Sequence, residues 1–393
     1  MGNIFSDRIA DVPKSFIREI LKVTNEKDII SFAGGLPNRN LFPVEALKVA
    51  TMEVFEANAQ DAFQYSTSEG YLELREWIAK RYKTIQNINV SADDIIITTG
   101  SQQALDILGK TLLNQGDNLI IEEPGYLGAI QAFSFYQPNF CPVPVSSDGM
   151  NIELFKKTMA AKSVKLCYTV PNFSNPSGIT YSNENRAAMA AVIKQTKTIL
   201  VEDNPYGELR FIGSDQKSFY NLIPDNTVLL GSFSKTVVPS FRIGWLVAKG
   251  DLREKLIIAK QAADLHSNYF SQLVLCNYLS KNDIDEHIRL ISQTYGSQRN
   301  AMVKAIKEYF PKSAAYTEPE GGMFLWITLP EKIKAIEVFY KAIERKVAFV
   351  PGDPFYTNKS SVNTLRLNYS CVDEATIESG IKILGNVLEE MMV

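Results

Sequence analysis

Histidine and cysteine are scarce in this chain. Its 393 residues include two histidines, His266 and His287, and four widely spaced cysteines, Cys141, Cys167, Cys276 and Cys371. So few imidazoles argue against a histidine-rich metal centre and weaken any Ser-His-Asp reading. No Cys-x-x-Cys pair occurs, which argues against a zinc site or a disulfide framework and fits a reducing compartment. No apolar run approaches the roughly 20 residues that a membrane span requires. Residues 1–10 carry Asp7 and Arg8 and no apolar core, so no secretory leader is expected. An excess of basic residues is missing too: 41 Lys and Arg against 44 Asp and Glu give a formal net charge of −3. That balance disfavours a nucleic-acid surface or a basic membrane-binding face. The expectation is a soluble, cytoplasmic protein without bound metal, nucleic acid or membrane.

What is present is an ordinary globular composition, 45% hydrophobic and 22% charged, in a chain longer than one core usually serves. Short apolar runs at 95–97, 119–121, 164–168, 199–201, 228–230 and 243–247 read as strands buried on both faces. Helical patterns, such as 102–113 and 184–195, lie between them. Together they predict a three-layer α/β/α sandwich around a mostly parallel sheet. Residues 251–309 read as nearly all helical. Strand-like 322–329 and 364–369, a helix near 333–346 and a terminal helix then predict a smaller α+β domain. No repeat or Gly/Ser linker marks the border. The expected division is a large domain, 50–285, and a small one built from 1–49 and 286–393, with a site in the cleft between them.

The chemistry begins at Ser232-Phe233-Ser234-Lys235, followed by Arg242. Hydroxyls and a guanidinium suit a phosphate dianion, while the amine can form an imine with an aldehyde. In isolation such a lysine reads equally as an exposed loop residue. Thr99-Gly100-Ser101-Gln102 follows a strand and opens a helix, where backbone N–H groups and the Ser101 hydroxyl form a second phosphate cradle. An aldehyde carrying a phosphate points to pyridoxal 5′-phosphate (PLP). Asp203, at the end of a central strand, is placed to keep the PLP ring nitrogen protonated, while its neighbour Glu202 alternates to the other face. Asn175, before Pro176, can offer its amide to the phenolic oxygen, and Tyr206 a second hydrogen bond. Tyr126 can stack on the ring. Arg366, in a small-domain strand, can grip a substrate carboxylate in bidentate fashion.

These segments, in this order and over nearly the whole chain, resemble PLP-dependent fold-type I aminotransferases of class I/II. Residues 30–37 (Ile-Ser-Phe-Ala-Gly-Gly-Leu-Pro) and 64–70 (Gln-Tyr-Ser-Thr-Ser-Glu-Gly) are most similar to the branch of 2-aminoadipate and kynurenine aminotransferases. The resemblance implies Lys235 as the Schiff-base lysine, with Asp203 and Tyr126 beside it in catalysis. It implies Ser101, Gln102, Ser232, Ser234 and Arg242 around the phosphate, and Asn175, Asp203 and Tyr206 on the ring. Arg366, Gly35 and Asn175 would line the substrate site. Tyr65 would reach the phosphate of a neighbouring subunit, which implies a homodimer with shared sites. Serine at position 240 departs from the family's usual glycine, and adds strain if that backbone needs a positive φ. The implied activity moves an amino group between an α-amino acid and a 2-oxo acid by a ping-pong route. β-Elimination or decarboxylation on the same scaffold stays open. A PLP-sensing regulator is disfavoured, because fewer than 35 residues precede Gly34-Gly35, too few for a winged helix.

Overall fold

The computed structural model describes residues 4–10 and 28–392. Among them a one-turn helix (Asp7–Ala10) comes first, and the first strand is β1 (Ile30–Ser31). The large sheet is then built from β2 (Ile95–Thr99), β3 (Asn118–Glu123), β4 (Asn139–Ser146), β5 (Gly149–Met150), β6 (Val164–Thr169), β7 (Ile199–Asp203), β8 (Thr227–Ser232) and β9 (Ile243–Val247). Their order across the sheet is β2-β9-β8-β7-β6-β3-β4-β5. Strands β4, β3, β6, β7 and β8 run parallel, while β9 is antiparallel to both β8 and β2. The predicted mostly parallel sheet is therefore what forms.

Side-chain alternation explains the three layers. Leu119 and Ile121 of β3 join the larger core cluster, whereas Ile120 between them joins a second cluster with Cys167 and Leu200. Successive residues face opposite sides, so each strand needs apolar cover on both. Helices supply it: Gly100–Leu112 and Gly250–Asp264 pack together, as do Ile152–Ala161 and Asn183–Ile193.

The predicted strands and helices appear with small shifts in their ends. Two strands of the sheet are not foreseen by the apolar runs, the two-residue β5 and the longer β4. Its Pro142 and Pro144 interrupt any such run, and it survives because it lies near the sheet edge, covered by β5 only at Val145 and Ser146.

The small lobe contains an antiparallel sheet, β10 (Ala315–Tyr316), β11 (Phe324–Thr328), β14 (Thr364–Asn368) and β13 (Val350–Pro351), in that order. Strand β12 (Val347–Ala348) pairs with β1 in a separate two-stranded sheet. The helices Ile284–Tyr309 and Glu374–Met392 back this lobe. Part of the 1–49 segment assigned to this domain lies outside the described residues.

Those two helices approach closely at Gly385, where an added Cβ would stand 2.3 Å from the Tyr309 carbonyl oxygen. Backbone on the far side cannot yield as a side chain would. Gly385→Ala should lower the unfolding free energy by about 1–3 kcal/mol, read from urea denaturation of the cofactor-free chain. Unchanged stability would show that the helices part without cost.

Candidate active site

Strands β2, β3, β6, β7 and β8 all end on one side of the sheet, and the residues singled out above follow those ends. This is where open α/β sheets bind ligands. Parity sets the faces in β7. Val201 belongs to the larger cluster, so Asp203 faces the same way, while Glu202 turns with Leu200 to the other side. There Glu202 lies 3.7 Å from the Arg186 guanidinium and accepts from Ser218 at 2.5 Å.

Asp203 is 2% exposed. Its Oδ2 accepts from the Tyr168 hydroxyl at 2.7 Å, but its Oδ1 is buried with no partner. Burial pushes its pKa from the ordinary 3.8 up to about 6. The Lys235 amine moves the other way: burial lowers it to about 8, with Arg366 and Arg242 adding to the fall. Its Nζ donates to the Gly35 carbonyl at 2.7 Å.

The turn after β2 meets the Arg242 side chain. Gly100 has φ +71, and a Cβ there would lie 2.3 Å from an Arg242 terminal nitrogen. A Cβ on Gly244 would lie 2.8 Å from the Ser101 backbone nitrogen. Helix start, strand β9 and guanidinium are thus in van der Waals contact around free N–H groups. Ser232 Oγ donates to Ser234 Oγ at 2.9 Å beside them. No carboxylate pairs with Arg242 among the described residues. Gln102 donates to the Gly128 carbonyl at 2.8 Å, tying this helix to the one that follows Tyr126. The strain considered for Ser240 is not found: the positive φ of this turn, +54, belongs to Arg242.

Across the cleft, Arg366 is buried and donates to Asn175 Oδ1 at 2.8 Å and to the Ala33 carbonyl at 2.7 Å. Its Nε has no partner. The Phe324 ring lies 4.3 Å below the guanidinium carbon. Tyr206 is buried, with its ring edge-on to Phe324 at 5.8 Å. Tyr126 feels the charges of Asp203, Arg366 and Arg242, and burial pushes its hydroxyl up to about 12.

So the structure gathers Gly35, Ser101, Tyr126, Asn175, Asp203, Tyr206, Ser232, Ser234, Lys235, Arg242 and Arg366 at one end of the sheet. Gln102 sits at the rim. Tyr65 stands apart, 78% exposed, with its ring edge-on to His266. Tyr168 was not foreseen: it reaches Asp203 only because β6 and β7 are neighbours, and strand order is not written in either segment. A larger cavity of about 630 Å³ opens on the Glu202 side. Its arginines are already paired, Arg81 with Glu208 and Asp285, Arg210 with Asp215 and Glu320.

The family model for aminotransferase class I and II matches residues 27–384. The chain belongs to the class I and II aminotransferases. This aminotransferase is 42% identical to aromatic-amino-acid aminotransferase 1 of Thermococcus litoralis, over 99% of this chain and 94% of the relative. It superposes with a TM-score of 0.95 on the kynurenine aminotransferase of Pyrococcus horikoshii, solved with PMP, at 40% identity over 99% and 98% of the two chains. The α-aminoadipate aminotransferase of Thermus thermophilus, solved with N-(5′-phosphopyridoxyl)-L-leucine, gives 0.92 at 35% identity over 99% and 98%.

The Asp203 shift has a consequence for the aminotransferase without cofactor. Between pH 3.8 and about 6 the folded chain holds a proton that the unfolded chain has released. Stability therefore falls as pH rises through that window. The shift corresponds to about 3 kcal/mol at neutral pH. Asp203→Asn should remove this loss, so urea titrations at pH 4.5 and 7.5 should show the variant gaining on the unsubstituted protein at the higher pH. Parallel pH profiles would refute the assignment.

Proposed function

We propose that this PLP-dependent aminotransferase exchanges amino groups between an α-amino acid with an aromatic or long side chain and a 2-oxo acid, using Lys235 as attachment point and proton carrier. The observation that carries the reading is the unmet Oδ1 of Asp203, buried at the end of β7. A protonated ring nitrogen supplies what that oxygen lacks. The cradle of Gly100, Ser101, Ser232 and Arg242 fits a phosphate in charge and in space.

PLP, when bound, supplies the electrophilic carbon that takes the amino group and a conjugated ring that accepts electron density from the substrate Cα. Asp203 holds the nitrogen side, so that ring stays an effective acceptor. Tyr126 covers one ring face, and Asn175 with Tyr206 meets the phenolic oxygen. Arg366, with Nε free and Phe324 beneath, binds the substrate carboxylate and turns the amino acid toward Lys235. In the cofactor-free chain burial brings the Lys235 amine down to about 8. A sizeable neutral fraction at that pKa suits its Nζ to take the substrate Cα proton and to deliver it across the amino nitrogen, to the cofactor carbon two atoms away. The two half-reactions give ping-pong kinetics.

A homodimer completes the site. Phe55, Phe63 and Phe270 pack ring to ring at 5.4–5.8 Å on the surface, beside exposed Met52, Tyr65 and Leu72. An apolar patch of this kind suits a second copy, which would bring its Tyr65 to the exposed Arg242. No helix among the described residues is long and apolar enough to cross a membrane. Four unpaired cysteines support a cytoplasmic setting.

Lys235→Ala should abolish turnover and the visible absorbance of protein incubated with PLP. Activity surviving that change would refute the role of Lys235. A panel of aromatic amino acids and 2-aminoadipate, each added without keto acid, should convert the cofactor to its amine form. Release of ammonia or carbon dioxide instead would favour elimination or decarboxylation.

A further inference from the structure

The ribbon that carries Gly35 is held in an unusual way. Five successive carbonyls, Phe32 to Leu36, each accept a hydrogen bond from outside the ribbon. Phe32 accepts from the Asn368 backbone at 2.9 Å, Ala33 from Arg366 at 2.7 Å, and Gly34 from the Asn368 side-chain amide. Gly35 accepts from Lys235 at 2.7 Å, and Leu36 from Ser370 at 3.1 Å and the Cys371 thiol at 2.8 Å.

Behind these donors lies a second layer. Asn368 Oδ1 accepts from the Ser370 backbone N–H at 2.6 Å and lies 2.7 Å from its hydroxyl. The Tyr295 hydroxyl accepts from the Asn38 N–H at 3.0 Å, two residues beyond Leu36, and so pins the far end of the ribbon. Asn368 and Ser370 are 0% exposed and Tyr295 is 1% exposed. A satisfied polar network at this depth fixes geometry tightly, because every alternative leaves a buried group unmet.

We propose that Asn368, with Ser370 and Tyr295, positions the Gly35 carbonyl that receives the Lys235 amine, and so sets where the proton-carrying amine rests when it is not covalently bound. The proposal rests on the reading of Lys235 given above. None of the three residues touches the reacting atoms; they are positioning residues. They act through the peptide plane between Gly34 and Gly35, one end of which Asn368 holds. The charged and titratable groups facing Lys235 are Cys371 and Arg366 from the small lobe and Arg242 from the turn before β9. None of them is removed by the substitutions below.

The test uses the full-length chain with Asn368→Leu and Tyr295→Phe. The first readout is the pH profile of Lys235 acetylation by acetic anhydride in cofactor-free protein, followed by mass spectrometry of its peptide. A carbonyl acceptor favours the ammonium form, so loosening it should lower the midpoint by about half a pH unit in Asn368→Leu and less in Tyr295→Phe. In PLP-loaded enzyme, kcat should fall about tenfold for Asn368→Leu, with a much smaller change in KM for the amino donor. Midpoints coinciding with the unsubstituted protein in both folded variants would overturn the proposal. If Asn368→Leu does not unfold cooperatively, Tyr295→Phe decides, since it removes one hydroxyl and keeps the ring. Failure of the unsubstituted chain to attach PLP at Lys235 would sink the functional reading instead, and the acetylation midpoints would still judge the network.

Discussion

A carboxylate sealed at the end of a central strand, with one oxygen unmet, organises this protein. Asp203 Oδ1 is buried and meets no protein donor. Burial then moves the two principal groups toward neutrality from opposite directions, Asp203 upward and Lys235 downward. A site so arranged favours a partner that brings complementary charge to each place: a cation for Asp203, an anion for Arg242 and a carboxylate for Arg366. In a dry cleft each such pairing is stronger than it would be in water. The same burial that makes the cofactor-free chain less stable near neutral pH therefore strengthens binding.

The lobes are coupled through one amide. Asn175 comes from the large domain, on the turn after β6, yet its oxygen accepts from Arg366 of β14. The Arg366 guanidinium, proposed to hold the substrate carboxylate, is thus joined to the turn carrying Asn175, proposed to meet the cofactor. Such a linkage favours one relative placement of substrate and ring, and placement decides which Cα bond is broken.

Much of this was legible in the sequence because the chemistry is carried by residues beside strand ends. A strand of β-branched and aliphatic residues followed by Thr-Gly-Ser, Glu-Asp-Asn-Pro or Ser-x-Ser-Lys announces both the local structure and the site. What was not legible depends on which strands become neighbours. Tyr168 finds Asp203 only after β6 and β7 pair. Strand β4 was hidden by its prolines, which only an edge position tolerates. The donors to the 32–36 ribbon were hidden for a further reason: their acceptors are backbone carbonyls, which every residue possesses. Tyr65 is exposed on its own chain, and the neighbouring-subunit phosphate expected for it depends on assembly rather than on this chain's fold.

The phosphate end shows how a local departure from pattern can be harmless when the strain sits elsewhere. A left-handed backbone disfavours side-chain-bearing residues by roughly 1–2 kcal/mol. Here that conformation falls on Arg242, not on Ser240. The strained turn lays the guanidinium against Gly100, where no Cβ could be accommodated, while Gly244 lets β9 press on the same helix start. Two tight contacts thus converge on the helix start and the guanidinium. Relaxing either of them would move the guanidinium away from the helix terminus, and the two would no longer act on a single anion. The strain at Arg242 is therefore tied to the placement of the guanidinium at the helix start, whereas Ser240 is free of it.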